Sequence, residues 1–159
     1  MSTAPFQKCL SLTRQELQRD QVTARAQLHP NLPPVMADRI QVQQVVLNLV
    51  MNGIDAMRGV KDRARVLLVK SAGAPTAAVV VTVEDTGIGF GDNDPEHIFD
   101  TFYTTKEDGM GMGLAISRSI VQAHGGRLWA SPGPAIGAIF NFTLPARAGA
   151  GTCQTANLL

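Results

Sequence analysis

The chain has 159 residues, 45% of them apolar and 17% charged, which suits one domain with a core of its own and excludes a largely disordered polymer. A net charge of +1, with no basic run and only one Trp and one Tyr, argues against a nucleic-acid surface, which needs clustered Lys and Arg. No apolar run approaches the roughly 20 residues that span a membrane, and Cys9 and Cys153 stand in no metal-ligand spacing, so the domain reads as cytosolic in character with two free thiols, whatever it is attached to.

In chain order, residues 1–5 read as an irregular start. Phe6, Leu10 and Leu17 fall at helical spacing and predict a helix over 6–20. Val22 to Leu28 alternates strictly, which predicts a half-buried strand, and His29 to Pro34 is a loop. Asp38 is a good N-cap for a helix to Met57, whose core face reads Val42, Val45, Val46, Leu49, Val50, Gly53 and Met57. Gln41, Asn48, Asn52 and Asp55 fall on an adjoining stripe, with Asn48 and Asn52 one turn apart. Ala64–Ser71 and Ala77–Glu84 predict a hairpin whose second strand is apolar enough to be central and covered on both faces. A connecting loop follows over 88–109, with a short helical piece at 95–102. The next helix runs from Gly113 to His124, with Leu114, Ile116, Ile120 and Val121 inward and Gly125-Gly126 ending it. Arg127–Ser131 and Ala138–Leu144 form a last hairpin, and 146–159 reads as a disordered tail. Successive strands mostly pair as hairpins. The predicted fold is therefore an α/β two-layer sandwich: a mixed, mostly antiparallel sheet with helices on one face.

The chemistry concentrates between Val83 and Leu114. A buried strand delivers Asp85 into Gly87-x-Gly89, and a second glycine run, Gly109-x-Gly111-x-Gly113-Leu114, opens a helix. Glycine-rich backbone at a helix N-terminus is suited to phosphate, because free N–H groups and the helix dipole face the anion. The run is not a Walker A loop, since no lysine follows Gly113. It is not a dinucleotide fingerprint either, lacking the strand just before it and the acidic residue about 20 residues after. Singly, each feature has a plain explanation: a solvated helix edge for Asn48 and Asn52, a turn for Asp85-Thr86-Gly87, a surface lysine at Lys106, lid anchors at Phe99 and Phe102.

Together, Asn48/Asn52, Asp85-x-Gly87-x-Gly89, Phe99-x-x-Phe102-Tyr103-Thr104-Thr105-Lys106 and Gly109-x-Gly111-x-Gly113-Leu114 resemble the N, G1, F and G2 boxes of sensor histidine kinases, in order and spacing. These kinases share a superfamily, and its Bergerat-type ATP-binding fold, with gyrase, HSP90-type chaperones and MutL. The resemblance covers roughly residues 5–145 and is greatest to the nitrogen-regulation and oxygen-sensing branch. It implies ATP and Mg²⁺ as ligands. Asn52 would hold the Mg²⁺, and Asn48 would support it or touch phosphate. Asp85 would accept the adenine amino hydrogen bond, with Gly87 and Gly89 letting the loop pass close to the base. Lys106, helped by Thr104 or Thr105, would meet phosphate from a lid, and the segment 87–111 is expected to order only with nucleotide. Gly109, Gly111, Gly113 and Leu114 would complete the phosphate end.

Where hydrolysing relatives and anti-sigma serine kinases carry a Glu general base one turn before the key Asn, this chain has Asn48, an amide that cannot take a proton near neutral pH. The resemblance thus favours phosphoryl transfer to a histidine on a separate dimerisation domain, with a response regulator receiver domain downstream. A degenerate interaction module, or a self-contained ATPase or serine kinase, is the alternative. Gly53 departs from the Ala usual after the Asn, and Ala138 replaces a hydroxyl residue found in many relatives. With only about 20 residues before the first strand, no phosphoacceptor hairpin fits. The chain is expected to be an excised, monomeric catalytic domain with negligible autophosphorylation.

Overall fold

The computed structural model describes residues 4–104 and 111–147. Two short helices, α1 (Ala4–Leu12) and α2 (Arg14–Arg19), precede strand β1 (Thr23–Leu28) and the long helix α3 (Arg39–Met57). Strands β2 (Val66–Ala74) and β3 (Ala78–Asp85) follow, then a single 3-10 turn (His97–Phe99), helix α4 (Gly113–Ala123), and strands β4 (Leu128–Pro132) and β5 (Ala138–Pro145). The five strands form one sheet in the order β1-β2-β3-β5-β4. Only β1 and β2 pair in parallel, as the α3 crossover between them requires; the other neighbours are antiparallel. The two-layer mixed sandwich expected from the sequence is the fold observed.

Helix α3 is the spine of the helical layer. Asp38 caps it as expected, its carboxylate accepting from the backbone N–H groups of Ile40 (2.8 Å) and Gln41 (3.0 Å). Val42, Val45, Val46, Leu49, Val50, Gly53 and Met57 are buried, and Ile54 joins them. They pack on the sheet through Leu67, Val69, Val79, Val81, Val83, Phe140, Phe142 and Leu144.

Several sequence expectations are corrected. The helix over 6–20 is two helices, beginning at Ala4 inside the supposed irregular start. They break at Thr13, whose hydroxyl turns back to the Cys9 carbonyl at 3.0 Å. Strand β1 is more exposed than its alternation implies, because it is the sheet edge and the core reaches it only at Val22 and Leu28. Strand β3 is central but covered on one face only: Val79, Val81, Val83 and Asp85 are buried, while Val80, Thr82 and Glu84 are half-exposed. The open face is tied by Lys70–Glu84 (3.2 Å) and Thr82–Asn141 (2.8 Å). In α4, Ile116 is 38% exposed and Ser117 is the buried residue instead. The tail does not begin at 146: Ala146 bridges to Val35, and Arg147 N–H donates to the Pro34 carbonyl (2.8 Å). The remaining tail expectation, over 148–159, lies outside the described residues.

Candidate active site

The C-terminal half of α3, the end of β3, the start of β5 and the N-terminus of α4 enclose a cavity of about 780 Å³. Asn48, Asn52 and Asp55 line it from α3, Asp85 and Ala138 from the strand ends, and Gly111, Gly113 and Leu114 from the head of α4. Gly89 and Thr104 also line it, and Met51, Ile88, Phe90, Ile98, Met112 and Phe140 give it an apolar lining. An apolar pocket with a few convergent polar groups is the usual form of a small-ligand site.

Asp85 is the most unusual group in it. The residue is 3% exposed, and burial pushes its carboxyl up to about 6. The backbone N–H groups of Gly87 and Ala138 pull the other way, and Glu84 adds to the push. The Gly87 N–H donates to Asp85 Oδ1 at 2.8 Å. Three glycines allow close packing around the end of β3 that carries this residue. Gly87 is pressed on α3, where a Cβ would come 2.7 Å from the Ala56 carbonyl oxygen. Gly137 (φ 127°) has the Asp85 carbonyl oxygen where a Cβ would stand. Gly53 faces β2 and β3, where a Cβ would meet Leu67 Cδ1 at 2.8 Å and Asp85 Cβ at 3.4 Å. The departure from Ala at Gly53 is thus fitted to this chain's Leu67 and Asp85.

The structure gathers Asn48, Asn52, Asp85, Gly89, Thr104, Gly111, Gly113 and Leu114 at one cavity. Gly87 supports the Asp85 loop from the α3 side and does not line the cavity. Thr105, Lys106 and Gly109 lie outside the described residues, as does the part of the expected 87–111 lid that runs over 105–110. The two lid phenylalanines part company. Phe99 is buried edge-on against Phe140 (centroids 6.4 Å apart), as an anchor should be. Phe102 is 72% exposed: its backbone turns to φ 68° as its N–H bonds the Gly111 carbonyl (2.9 Å), and the ring is turned out.

Sequence reasoning missed the supports. Arg63 donates to the carbonyls of Thr86 (2.9 Å) and Gly87 (2.7 Å), clamping the turn after Asp85. The Thr86 hydroxyl donates to the Ala64 carbonyl (2.8 Å) and accepts from the Val66 N–H (2.9 Å). Arg58, at the cavity rim, pairs with Asp55 (3.0 Å) and Asp20 (3.3 Å). Burial pushes the Asp20 carboxyl up, but Arg58 and Arg19 outweigh it and hold it below the usual range. Ser117, in the first turns of α4, bonds Asn48 across the helix pair at 3.1 Å.

A family model for histidine kinase-, DNA gyrase B- and HSP90-like ATPases matches residues 37–148, the stretch that builds this cavity. The chain belongs to that ATPase family. The curated relatives it is similar to are sensor kinases. It is 48% identical over 125 residues to the sensor protein FixL of Bradyrhizobium diazoefficiens, covering 79% of this chain and 24% of that protein. To the sensor histidine kinase TmoS of Ectopseudomonas mendocina it is 44% identical over 115 residues, or 72% of this chain and 12% of that one. The chain thus spans a quarter or less of these curated relatives. Among solved structures, the nucleotide-free catalytic domain of histidine kinase ThkA superposes with a TM-score of 0.77 at 28% identity, covering 90% of this chain and 91% of that one. Full-length ShkA in complex with AMPPNP superposes at 0.76 and 26% identity, over 92% of this chain and 30% of that one. Among the described residues, no helix of the ATPase domain is long and apolar enough to cross a membrane.

Proposed function

We propose that this domain binds ATP with Mg²⁺ and, as the catalytic domain of a two-component sensor histidine kinase, passes the γ-phosphate to a histidine on a separate dimerisation domain, from which a response regulator receiver domain takes it. The reading rests on one observation: a buried carboxylate, Asp85, shares an apolar cavity with two amides of α3 and the N-terminus of α4. ThkA has been solved in complex with the response regulator TrrA, which supports the same partner class here.

The residues divide the work by chemistry. Asp85, an acceptor when ionised, takes the adenine 6-amino hydrogen bond, which guanine with its carbonyl at that position cannot make. Met51, Ile88, Phe90 and Phe140 exclude water from the base. The backbone N–H groups at the head of α4, from Gly111 to Leu114, face the phosphates. Lys106, Thr104, Thr105 and Gly109 act from the lid on the same phosphates. Asn52 offers a neutral amide oxygen, the donor type a hard cation accepts alongside phosphate and water; among the described residues no cluster of His, Cys, Asp or Glu forms an all-protein cage. Mg²⁺, when bound, neutralises phosphate charge. Asn48 supplies no base, and none is needed, since a neutral imidazole attacks phosphorus with its own lone pair.

Calorimetric titration with ATP and Mg²⁺ tests the nucleotide reading. Binding should be seen, and should be lost in Asp85→Ala and Asn52→Ala; a wild-type chain that binds no nucleotide would sink it. Adding a histidine-bearing dimerisation domain in trans should yield acid-labile phosphate, whereas the chain alone should yield almost none. Steady hydrolysis by the chain alone would instead identify a self-contained ATPase.

A further inference from the structure

Asn48 is held by α4 in a way that fixes which end of its amide faces the cavity. Its Nδ2 lies 3.1 Å from Ser117 Oγ and 3.4 Å from the Gly113 carbonyl oxygen. Ser117 is fully buried, and its hydroxyl donates to that same carbonyl, four residues back, at 2.9 Å. A hydroxyl has one proton and this one is engaged, so towards Asn48 the serine can only accept. A backbone carbonyl can never do otherwise. Both groups that Asn48 meets on α4 therefore demand a donor. The NH₂ end is turned to α4, which leaves Oδ1 as the end of a cavity-lining amide that α4 does not take.

We propose that Ser117 is a positioning residue for the Mg²⁺ end of the site: by accepting from Asn48 it presents an amide oxygen, and not an amide NH₂, to the bound nucleotide. The inference rests on the nucleotide reading above and sharpens it. Phosphate oxygens accept hydrogen bonds and repel another acceptor, whereas a cation and its bound waters require one. A fixed Oδ1 therefore serves the metal or its waters, and Asn48 does not grip phosphate directly. Ser117 also joins α3 to the first turn of α4, so the metal side and the phosphate side of the cavity share one hydrogen-bonded joint. A serine that only back-bonded its own helix would touch neither function.

The test is a double-mutant cycle on the intact chain, read by titration of ATP with excess Mg²⁺ and with EDTA. Ser117→Ala should weaken ATP with Mg²⁺ about 5-fold, the scale of one lost hydrogen bond, and leave ATP in EDTA within about 2-fold. In an Asn48→Ala background, Ser117→Ala should have no further effect on the Mg²⁺-dependent part. Ser117→Cys, close in volume and a weaker acceptor, should fall between wild type and Ser117→Ala, and serves if the alanine variant melts too low to titrate. Equal weakening with and without Mg²⁺, full additivity with Asn48→Ala, or no change at all would each overturn the assignment. A wild-type chain that binds no nucleotide would instead overturn the nucleotide reading itself, so the two failures are distinct.

Discussion

Asp85→Asn should make the domain more stable and a poorer nucleotide binder at once. Asp85 is 3% exposed, and burial raises its carboxyl from an ordinary 3.8 to about 6. A carboxylate raised in the folded state stabilises the fold below its unfolded value and loses that contribution as pH climbs through the folded one. At pH 7 the buried charge is therefore a burden on the fold. The distance from 3.8 to about 6, at about 1.4 kcal/mol per pH unit, puts that burden at about 3 kcal/mol at pH 7, roughly half of it at pH 5, and little near pH 4. Asparagine has the same shape, carries no charge and keeps an oxygen for the Gly87 N–H. Its one oxygen in place of two weakens acceptance from Gly87 and Ala138 together, so the full relief of charge is an upper bound. Urea unfolding at pH 7 should show the variant more stable by up to about 3 kcal/mol, with the gain halved at pH 5. ATP affinity should fall roughly 10-fold or more, because an amide NH₂ turned to the adenine amino group leaves two donors facing each other. A stability difference that does not change between pH 7 and pH 5, or a variant that binds ATP as well as wild type, would refute the reasoning.

Arg63→Ala removes both hydrogen bonds on the turn after Asp85; urea unfolding should show a loss of about 2 kcal/mol, and calorimetry weaker ATP binding, although Arg63 does not line the cavity. Asp38→Ala, which uncaps α3 far from the nucleotide, should lower stability by about 1 kcal/mol with ATP affinity unchanged. Gly137→Ala places a methyl against the Asp85 carbonyl and should lower Tm by roughly 5–10 °C in a thermal melt, more than a surface substitution can.

The sequence made the fold and the inner wall of the site legible where periodicity and punctuation agreed. Helix α3 was readable from Asp38 to Met57 because its cap is local and its apolar face repeats over five turns. The place of Asp85 was readable because a run of valines predicts a strand with a buried face, and the carboxylate comes at its end, where the glycines begin. What stayed hidden depends on partners distant in the chain. Arg63 has no motif, and its role exists only because 23 and 24 residues later the chain returns beneath it. Ser117 could have been suspected from its place four residues after Gly113, since a serine there can bond that carbonyl; instead the apolar repeat drew attention to Ile116. The break at Thr13 was invisible because apolar spacing on both sides of it is compatible with one helix. Strand β3 was expected to be covered twice, as valines outnumber what one face needs; the open face uses Val80 and Thr82 for their β-branched shape in the pleat.

The pairing of Asp85 with Ala138 across β3 and β5 also dictates when the site comes into being. The β2–β3 hairpin is local and can form early, but the β5 partner arrives from more than 50 residues further along the chain, after the whole loop and α4. Any partly folded chain lacking β5 has Asp85 at a raw strand end with no Ala138 beside it, and no cavity. Nucleotide can therefore select only the completed molecule. The stabilisation it confers, RT ln(1 + [ATP]/Kd), is gained only once β5 lies beside β3, so ligand-dependent protection against proteolysis counts domains in which that pairing is made.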